Sequence, residues 1–431
     1  MSASNASVPL HRGRIFVVAL LALFTAGAAV SMRAVTAAHM QTDYLDAIDR
    51  LNAGAMLGSV LGAAFAGFAV TLLLVSSVLA AIGFGRALAA AALFMILGFI
   101  IVGHADAWGL STYTALLVGM VVQGIGWGLV ETVINPLTSA LYPEDRVHRL
   151  SILHAWYPAG LVGGSLLGLF IDGEGLNWRW TMAPLALLAI LFGVWALKEK
   201  LPPVSRSTDA PVSPGEMLRA TIQQPTIFFW VVLMMFTAAT EFAPGQWVDV
   251  ALSQVVGMRG ILLLAYVSGL MFVMRHFAGP LVKRLSNVGL LMFSAAFATV
   301  GLTALGAAQS PASALVAATA WGFGVCYFWP TMLATVAERY PRSGTMVFGL
   351  MGSAGAASTY VILPLLGGVY DRAKLAAAGG DANLVTNAQG DQLRHILTEA
   401  ASASFKTVAL IPLALIFIFA AIAFADRMHR K

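Results

Sequence analysis

The sequence predicts an all-α polytopic membrane protein in which twelve transmembrane helices form two pseudo-symmetric six-helix bundles. Of its 431 residues, 59% are hydrophobic and only 10% are charged, a composition that excludes an ordinary soluble protein. About 20 apolar residues span the roughly 30 Å of bilayer hydrocarbon as a helix. Twelve such windows occur, at residues 15–38, 52–80, 86–106, 111–138, 148–172, 179–197, 226–248, 259–283, 288–308, 312–338, 345–371 and 405–426.

The distribution of basic residues predicts that both termini are cytoplasmic. With that topology 16 of the 25 lysines and arginines fall in cytoplasmic segments and seven fall outside, which is the bias expected of membrane proteins. The remaining two, Arg33 and Arg275, lie inside predicted helices. Topology thus explains the net charge of +5, and we expect no nucleic-acid partner. The prediction is a multi-pass, monomeric protein of a bacterial-type inner membrane.

A polar segment divides the chain in the middle. Residues 201–225 contain five prolines and have no apolar run long enough to span a bilayer. We therefore predict an N-terminal six-helix bundle at 1–200, a cytoplasmic linker at 201–225 and a C-terminal six-helix bundle at 226–431.

The two halves repeat each other at a nearly constant offset. Four features recur in the same order, which indicates a duplicated bundle. The pairs are Arg86 and Arg284, Gly124-Ile-Gly126 and Gly322-Phe-Gly324, Tyr142-Pro143 and Tyr340-Pro341, and Asp172 and Asp371.

The fourth helix carries polar and aromatic side chains on one face. They recur at every fourth position: Gln123, Trp127, Glu131 and Asn135. Residues at this spacing drift by only about 40° per step around a helix. A carboxylate inside hydrocarbon is costly, which marks Glu131 as functional. An indole beside amide and carboxyl groups suits a sugar or polyol, because the ring covers C–H groups and the others bond hydroxyls. The alternative is a stripe buried against helices of its own half.

Three glycines lie between the members of this stripe, at positions 124, 126 and 128. Without side chains they would let neighbouring helices approach closely.

Several motifs resemble those of the major facilitator superfamily, and within it the fucose permease and glucose/galactose transporter branch. The motifs are GxGxGxxExxxNP in helix four, WGFGVCYFWPTMLATVAERYP at 321–341, and Thr240-Glu241-Phe242 followed by Gln246-Trp247 in helix seven. The superfamily's loop signature is partly kept, as Gly279-Pro280-Leu281-Val282-Lys283-Arg284 after helix eight and Gly85-Arg86 after helix two.

This resemblance implies a proton-coupled sugar transporter with Glu131 as a coupling acid. In fucose permeases an acidic residue in helix one accompanies that glutamate, whereas helix one has Arg33 and no acid here. We predict that substrate is bound by Gln123, Trp127, Asn135, Gln246, Trp247, Tyr327 and Trp329. We expect no cofactor, because metal-ligand spacings, phosphate loops and nucleophile triads do not occur in the sequence.

Depth along the predicted helices suggests two charged layers that flank the midplane. Arg33 and Glu241 would lie near the outer face, and Glu131, His154 and Arg275 near the inner one. In the superfamily's rocking mechanism Arg33 with Glu241 would be an outer gate pair, and Arg275 with Glu131 or His154 an inner one. The alternative is a permanent pair within one half, such as Arg33 with Glu131.

Two classes of function compete at this point. The first is a secondary transporter that moves a small polar solute, a sugar or a related molecule, by alternating access with proton coupling. Within it, a substrate carrying a carboxylate is the alternative, because Arg33 and Arg275 could bind an anion during import or export. The second class is a non-transporting membrane sensor or scaffold. An enzyme is not expected.

Overall fold

The structure is a computed structural model that describes residues 10–204, 219, 221–275, 278–340 and 346–429. Its main helices are α1 (Arg12–Met40), α2 (Ala53–Ile82), α3 (Phe84–Gly103), α4 (Thr112–Leu141), α5 (Arg146–Gly173), α6 (Ala183–Lys198), α7 (Thr226–Val256), α8 (Ile261–Arg275), α9 (Ala278–Leu305, kinked at Ser286), α10 in two segments (Pro311–Val325 and Phe328–Arg339), α11 (Met346–Ala377) and α12 (Gly390–His429).

Eleven helices in this described part are long and apolar enough to cross a membrane, and α8 is a shorter apolar helix. The predicted all-α class with twelve membrane helices is confirmed. Most of the predicted linker at 201–225 lies outside the described residues.

Two of the predicted helix ends are wrong in a way that affects the charged residues. Helix α1 continues through a π-helical turn (Gln41–Leu45) and one more helical turn (Asp46–Asp49), and α7 runs on to Val256. The added turns carry polar residues, so a hydropathy window stops short of them. At about 1.5 Å per residue, Arg33 lies roughly 24 Å from the end of this longer helix, and Glu241 lies at the middle of α7.

The helix ends define two faces. We call the face that contains the start of α1 the terminal face: Arg12 pairs with Glu144 of the α4–α5 loop there, and in the other half Arg339 at the end of α10 pairs with Asp426 of α12. We call the opposite face, where α1 and α7 end, the distal face.

Glycines position the helix-four stripe by close packing within the N-terminal half. A Cβ on Gly124 would clash with the backbone of Ala64 in α2, and one on Gly126 would come within 2.8 Å of Ala91 O in α3. The prediction that these glycines permit close approach is confirmed.

The equivalent glycines of the second half pack in the equivalent way. Gly322 faces Leu270 of α8, and Gly324 lies against the backbone of Ala298 in α9. Positions matched in the sequence repeat therefore contact matched helices, which is the pseudo-symmetry that the repeat predicts.

Prolines inside two helices free backbone carbonyls that other side chains then use. Pro330 has no N–H for the carbonyl of Cys326, four residues earlier, and Arg275 Nε lies 3.3 Å from that oxygen. Pro244 likewise frees the carbonyl of Thr240, which accepts Trp321 Nε1 at 3.3 Å. The break in α10 thus provides an acceptor for an intramembrane arginine.

Polar contacts join the two halves at the distal face. Asp371 of α11 accepts the backbone N–H groups of Gly54 (3.3 Å) and Ala55 (2.8 Å), and so caps the first turn of α2 in the other half. The matched aspartate, Asp172 of α5, pairs with Arg259, which lies just before α8.

Between the halves, α2 and α11 pack along most of their length, from Gly54 against Gly367 to Leu72 against Gly352, but α4 and α10 do not. Helix α4 makes at most marginal contact with either described segment of α10. The contacts of Asp371 with Gly54 and Ala55 and of Asp172 with Arg259 lie at the distal face, and that of Gln246 with Val30 lies near the middle of α1.

We expect the replacement Gly124→Ala to destabilise the protein by about 1–3 kcal/mol, because the added methyl group forces α2 and α4 apart. Gly269→Ala in α8 is the matched control, since a Cβ there meets nothing within 4 Å. Thermal unfolding of the purified proteins in one detergent compares them. Equal melting temperatures for the two variants would contradict this account of the packing.

Candidate functional site

Arg33 lies in the middle of the bundle with an incomplete set of partners. Its side chain is 1% exposed, and Nη1 lies 3.4 Å from Gln123 Oε1. The guanidinium carbon lies 5.8 Å from the ring of Trp127 and 6.0 Å from that of Phe65. Nε and Nη2 have no hydrogen-bond partner. In the described part of the chain Arg33 forms no ion pair.

Glu131 belongs to a short polar chain that ends in an exposed histidine. His154 Nε2 lies 2.9 Å from Asn135 Oδ1, so the ring N–H donates and fixes the orientation of the amide. The amide nitrogen of Asn135 then lies 3.5 Å from Glu131 Oε2. Among the described residues Glu131 pairs with no cation.

Glu241 and Arg275 form an ion pair inside the C-terminal half. Arg275 Nη2 lies 3.6 Å from Glu241 Oε1, while its Nε uses the carbonyl that Pro330 frees at Cys326. The arginine thus has two acceptors from two different helices. Glu241 Oε2 remains buried without a partner.

Tyr157 of α5 lies between these groups. Its ring stacks on Trp127 at 6.1 Å, its hydroxyl is buried without a partner, and it lies within electrostatic reach of Arg33, Glu131, Glu241 and Arg275. We call Tyr157 and these four charged residues the central cluster. Sequence reasoning did not select Tyr157 for the site, although it lies three residues after His154 and therefore on the same helix face.

The expected outer gate pair is not formed. The distal face is closed, yet Arg33 contacts Gln123 and Glu241 contacts Arg275. The alternative pair within one half, Arg33 with Glu131, is not formed either. The two predicted charged layers are wrong as well, since Glu241 and Arg275, assigned to different layers, are in contact. The cause is the length of α1 and α7, because depth was counted from ends that lie farther away.

The helix-four stripe divides into two parts. Gln123 and Trp127 are buried against α1, α2 and α5 of their own half, as the simpler alternative expected. Glu131 and Asn135 are partly exposed and His154 is exposed. Because the charge of Arg275 acts on His154, this exposed group faces the other half. We interpret this exposure as a cleft between the halves that reaches these residues.

Three of the residues predicted to bind substrate have their contacts with residues outside the central cluster. Trp247 is fully buried against Tyr370, and the hydroxyl of Tyr327 donates to Met274 O at 3.0 Å. Trp329 packs against Phe242 at 5.5 Å.

Gln246 bridges the halves, since its Nε2 lies 3.3 Å from Val30 O. Its Oε1 is buried without a partner. The substrate-binding roles of all these residues stay predictions.

No group of three or more potential metal-ligating side chains occurs among the described residues. Glu241 and Arg275 form the one ion pair of the site, while Arg33 and Glu131 lie on other helices without an ion-pair partner in the described structure. Such separate charged groups are suited to binding a polar solute.

The family model described as the Major Facilitator Superfamily matches residues 15–364. The chain belongs to this superfamily of membrane transporters. A comparison with curated proteins gives no significant match.

Solved structures of other proteins share the fold of this chain over nearly its whole length. A D-xylose-proton symporter aligns with a TM-score of 0.73 at 16% identity, covering 93% of this chain and 97% of the other. A point mutant of the nucleoside transporter NupG gives a TM-score of 0.71 at 12% identity, covering 95% of this chain and 99% of the other.

A bacterial homolog of the human lysosomal transporter Spinster, in an inward-facing and unoccupied conformation, gives a TM-score of 0.72 at 16% identity. The alignment covers 95% of this chain and 96% of the other.

A cysteine placed at His154 should react with a water-soluble maleimide in the purified protein, whereas one at Thr36 should react about tenfold more slowly, because an enclosed thiol is protected. Thr36, in the distal half of α1, is 2% exposed. The chain's single cysteine, Cys326, is itself buried, and Cys326→Ala provides the background. Faster reaction at position 36 would contradict a cleft that opens toward the terminal face.

Proposed function

We propose that this protein is a secondary active transporter that moves a small polar solute by alternating access, with coupling to protons. The observation that carries the proposal is the uneven junction of the two halves. Polar contacts join them at the distal face, while toward the terminal face a cleft leads to the central cluster. A rocking motion that breaks the distal contacts and closes the cleft would expose the cluster to the other side.

The terminal face is cytoplasmic in this proposal, and the membrane is a bacterial-type inner membrane. The bias of lysines and arginines supports that orientation. A single copy supplies both walls of the cleft, so the proposed working unit is the monomer.

Glu131 is the proposed proton carrier. In this conformation Glu241 and the freed carbonyl of Cys326 hold Arg275, and Glu131 has no cationic partner in the described structure. Closure of the cleft would bring Arg275 toward Glu131 and His154 and so form the inner pair. A carboxylate that gains and loses a cationic neighbour releases and binds a proton in turn, which couples the proton to the motion.

The proposed solute carries several hydroxyl groups, as a sugar does. Tyr157, which is partly exposed, offers an aromatic ring, and Gln123 and Asn135 offer amides to hydroxyls. The resemblance to the fucose permease branch and the fold shared with a D-xylose-proton symporter support the same class. A sensor or scaffold would have little use for charges in the membrane that lack fixed partners.

Uptake by proteoliposomes tests the proposal. The vesicles receive sugars, polyols and organic acids in turn, with and without an imposed proton gradient, and adding a transported solute to de-energised vesicles should make the outer medium more alkaline. Absence of accumulation for every solute class would reject the assignment as a transporter.

The replacement Glu131→Gln should abolish accumulation driven by a proton gradient but preserve exchange of solute across the membrane, because the amide keeps the hydrogen bonding and cannot carry a proton. Glu399→Gln, at an exposed residue of α12, is the matched control and should leave both activities unchanged. If the Glu131 variant still accumulates solute in response to the gradient, the proton is carried elsewhere.

A further inference from the structure

We infer that the transported solute is a hydroxylated carboxylate, such as a sugar acid, and that its carboxylate binds Arg33. This inference rests on the proposed function and names the substrate class of the same site. It follows from the difference between the two arginines buried in the bundle and from the unpartnered atoms around one of them.

Arg275 and Arg33 differ in how their charge is balanced. Arg275 has a carboxylate at 3.6 Å and a backbone oxygen at 3.3 Å. Arg33 is more deeply buried, and in the described structure its one polar contact is an amide oxygen at 3.4 Å. A buried guanidinium without an anion is costly, and a carboxylate bound to it would remove that cost.

Hydrogen-bond donors prevail around Arg33. Its Nε and Nη2, the side-chain nitrogen of Gln123 and the indole nitrogen of Trp127 are all buried and unpartnered. Gln123 and Trp127 lie one helical turn apart on the face of α4 that meets Arg33. A carboxylate has only acceptor oxygens, and a guanidinium fork binds it through two parallel hydrogen bonds.

The charges of the central cluster point to the same ligand. Among its own side chains two cations, Arg33 and Arg275, balance two carboxylates, Glu131 and Glu241. If one proton binds Glu131 and one monocarboxylate binds Arg33, the cluster again has no net charge. A neutral sugar with one proton would leave a positive charge inside the bilayer, which is unfavourable.

The groups that face Glu131 fit this scheme. Glu131 contacts Asn135 of its own helix, and Asn135 contacts His154 of α5. Tyr157 of α5 lies within electrostatic reach of Glu131 and also of Arg33 from α1, Glu241 of α7 and Arg275 of α8. Helix α2 contains no titratable side chain, and the one charged residue of α3 is Arg86 at its start. Glu131 is the one carboxylate that the N-terminal half contributes to the central cluster, and we assign the accompanying proton to it.

The test compares gluconate and glucuronate with glucose on the wild-type protein in proteoliposomes. We expect uptake of an acid that responds to a pH gradient and not to a membrane potential clamped with potassium and valinomycin, and no uptake of glucose. Uptake of glucose without the acids would overturn the carboxylate assignment and leave the proposed transporter intact. Acid uptake that follows the potential would overturn the charge balance.

Binding is measured separately, as ligand-induced thermal stabilisation of the detergent-purified protein. Arg33→Gln should weaken acid binding about 10- to 100-fold, the effect of losing a charge-assisted hydrogen-bonded pair. Arg33→Lys should keep part of it, since the charge remains while the planar fork is lost. Arg372→Gln, at an exposed residue, is the matched control.

The binding measurement distinguishes failure of the ligand assignment from failure of the transporter assignment. An acid that binds the wild-type protein but is never transported would reject the assignment as a transporter and retain the ligand class. If no acid binds the wild-type protein, or if Arg33→Gln folds and binds as tightly as wild type, the inference is wrong.

Discussion

A bundle that lies in hydrocarbon must supply partners for its own buried polar groups, and this constraint organises the structure. Water cannot satisfy them there, so each charge or free carbonyl needs a protein partner. Where the chain breaks a helix at Pro330, it places Arg275 on the carbonyl that becomes free. Where it buries Arg33, it supplies one amide oxygen and leaves two donors unpartnered.

The two halves meet these needs in matched ways. Gly124 and Gly126 contact α2 and α3, and Gly322 and Gly324 contact α8 and α9. At the same positions the halves have diverged in chemistry, with Glu131 in one and Trp329 in the other. The packing of each half is thus shared, while the charge on the cleft wall differs. That combination lets two similar rigid bodies enclose an asymmetric site.

The fold was predictable from the sequence, and part of the site was not. Apolar windows gave the number of helices, and Gly124 and Gly126 correctly marked close approaches. The charged layers were wrong because hydropathy locates the apolar part of a helix and misses its polar extension at residues 41–49 and 249–256. Pairing in space also depends on how helices turn toward each other, which is why Arg275 with Glu241 was missed. Tyr157 was underrated because an aromatic residue in a membrane helix usually only packs.

The cap that Asp371 places on α2 has a consequence for the energetics of opening. It accepts two backbone N–H groups of the opposite half and also pairs with Lys374 of its own helix at 2.8 Å, so separating the halves leaves those two N–H groups at the start of α2 to be hydrated. Opening the distal face therefore requires water to bind the backbone N–H groups that the motion exposes. Solutes that are excluded from protein surfaces favour the less hydrated form, and osmotic conditions thereby enter the balance between the two conformations.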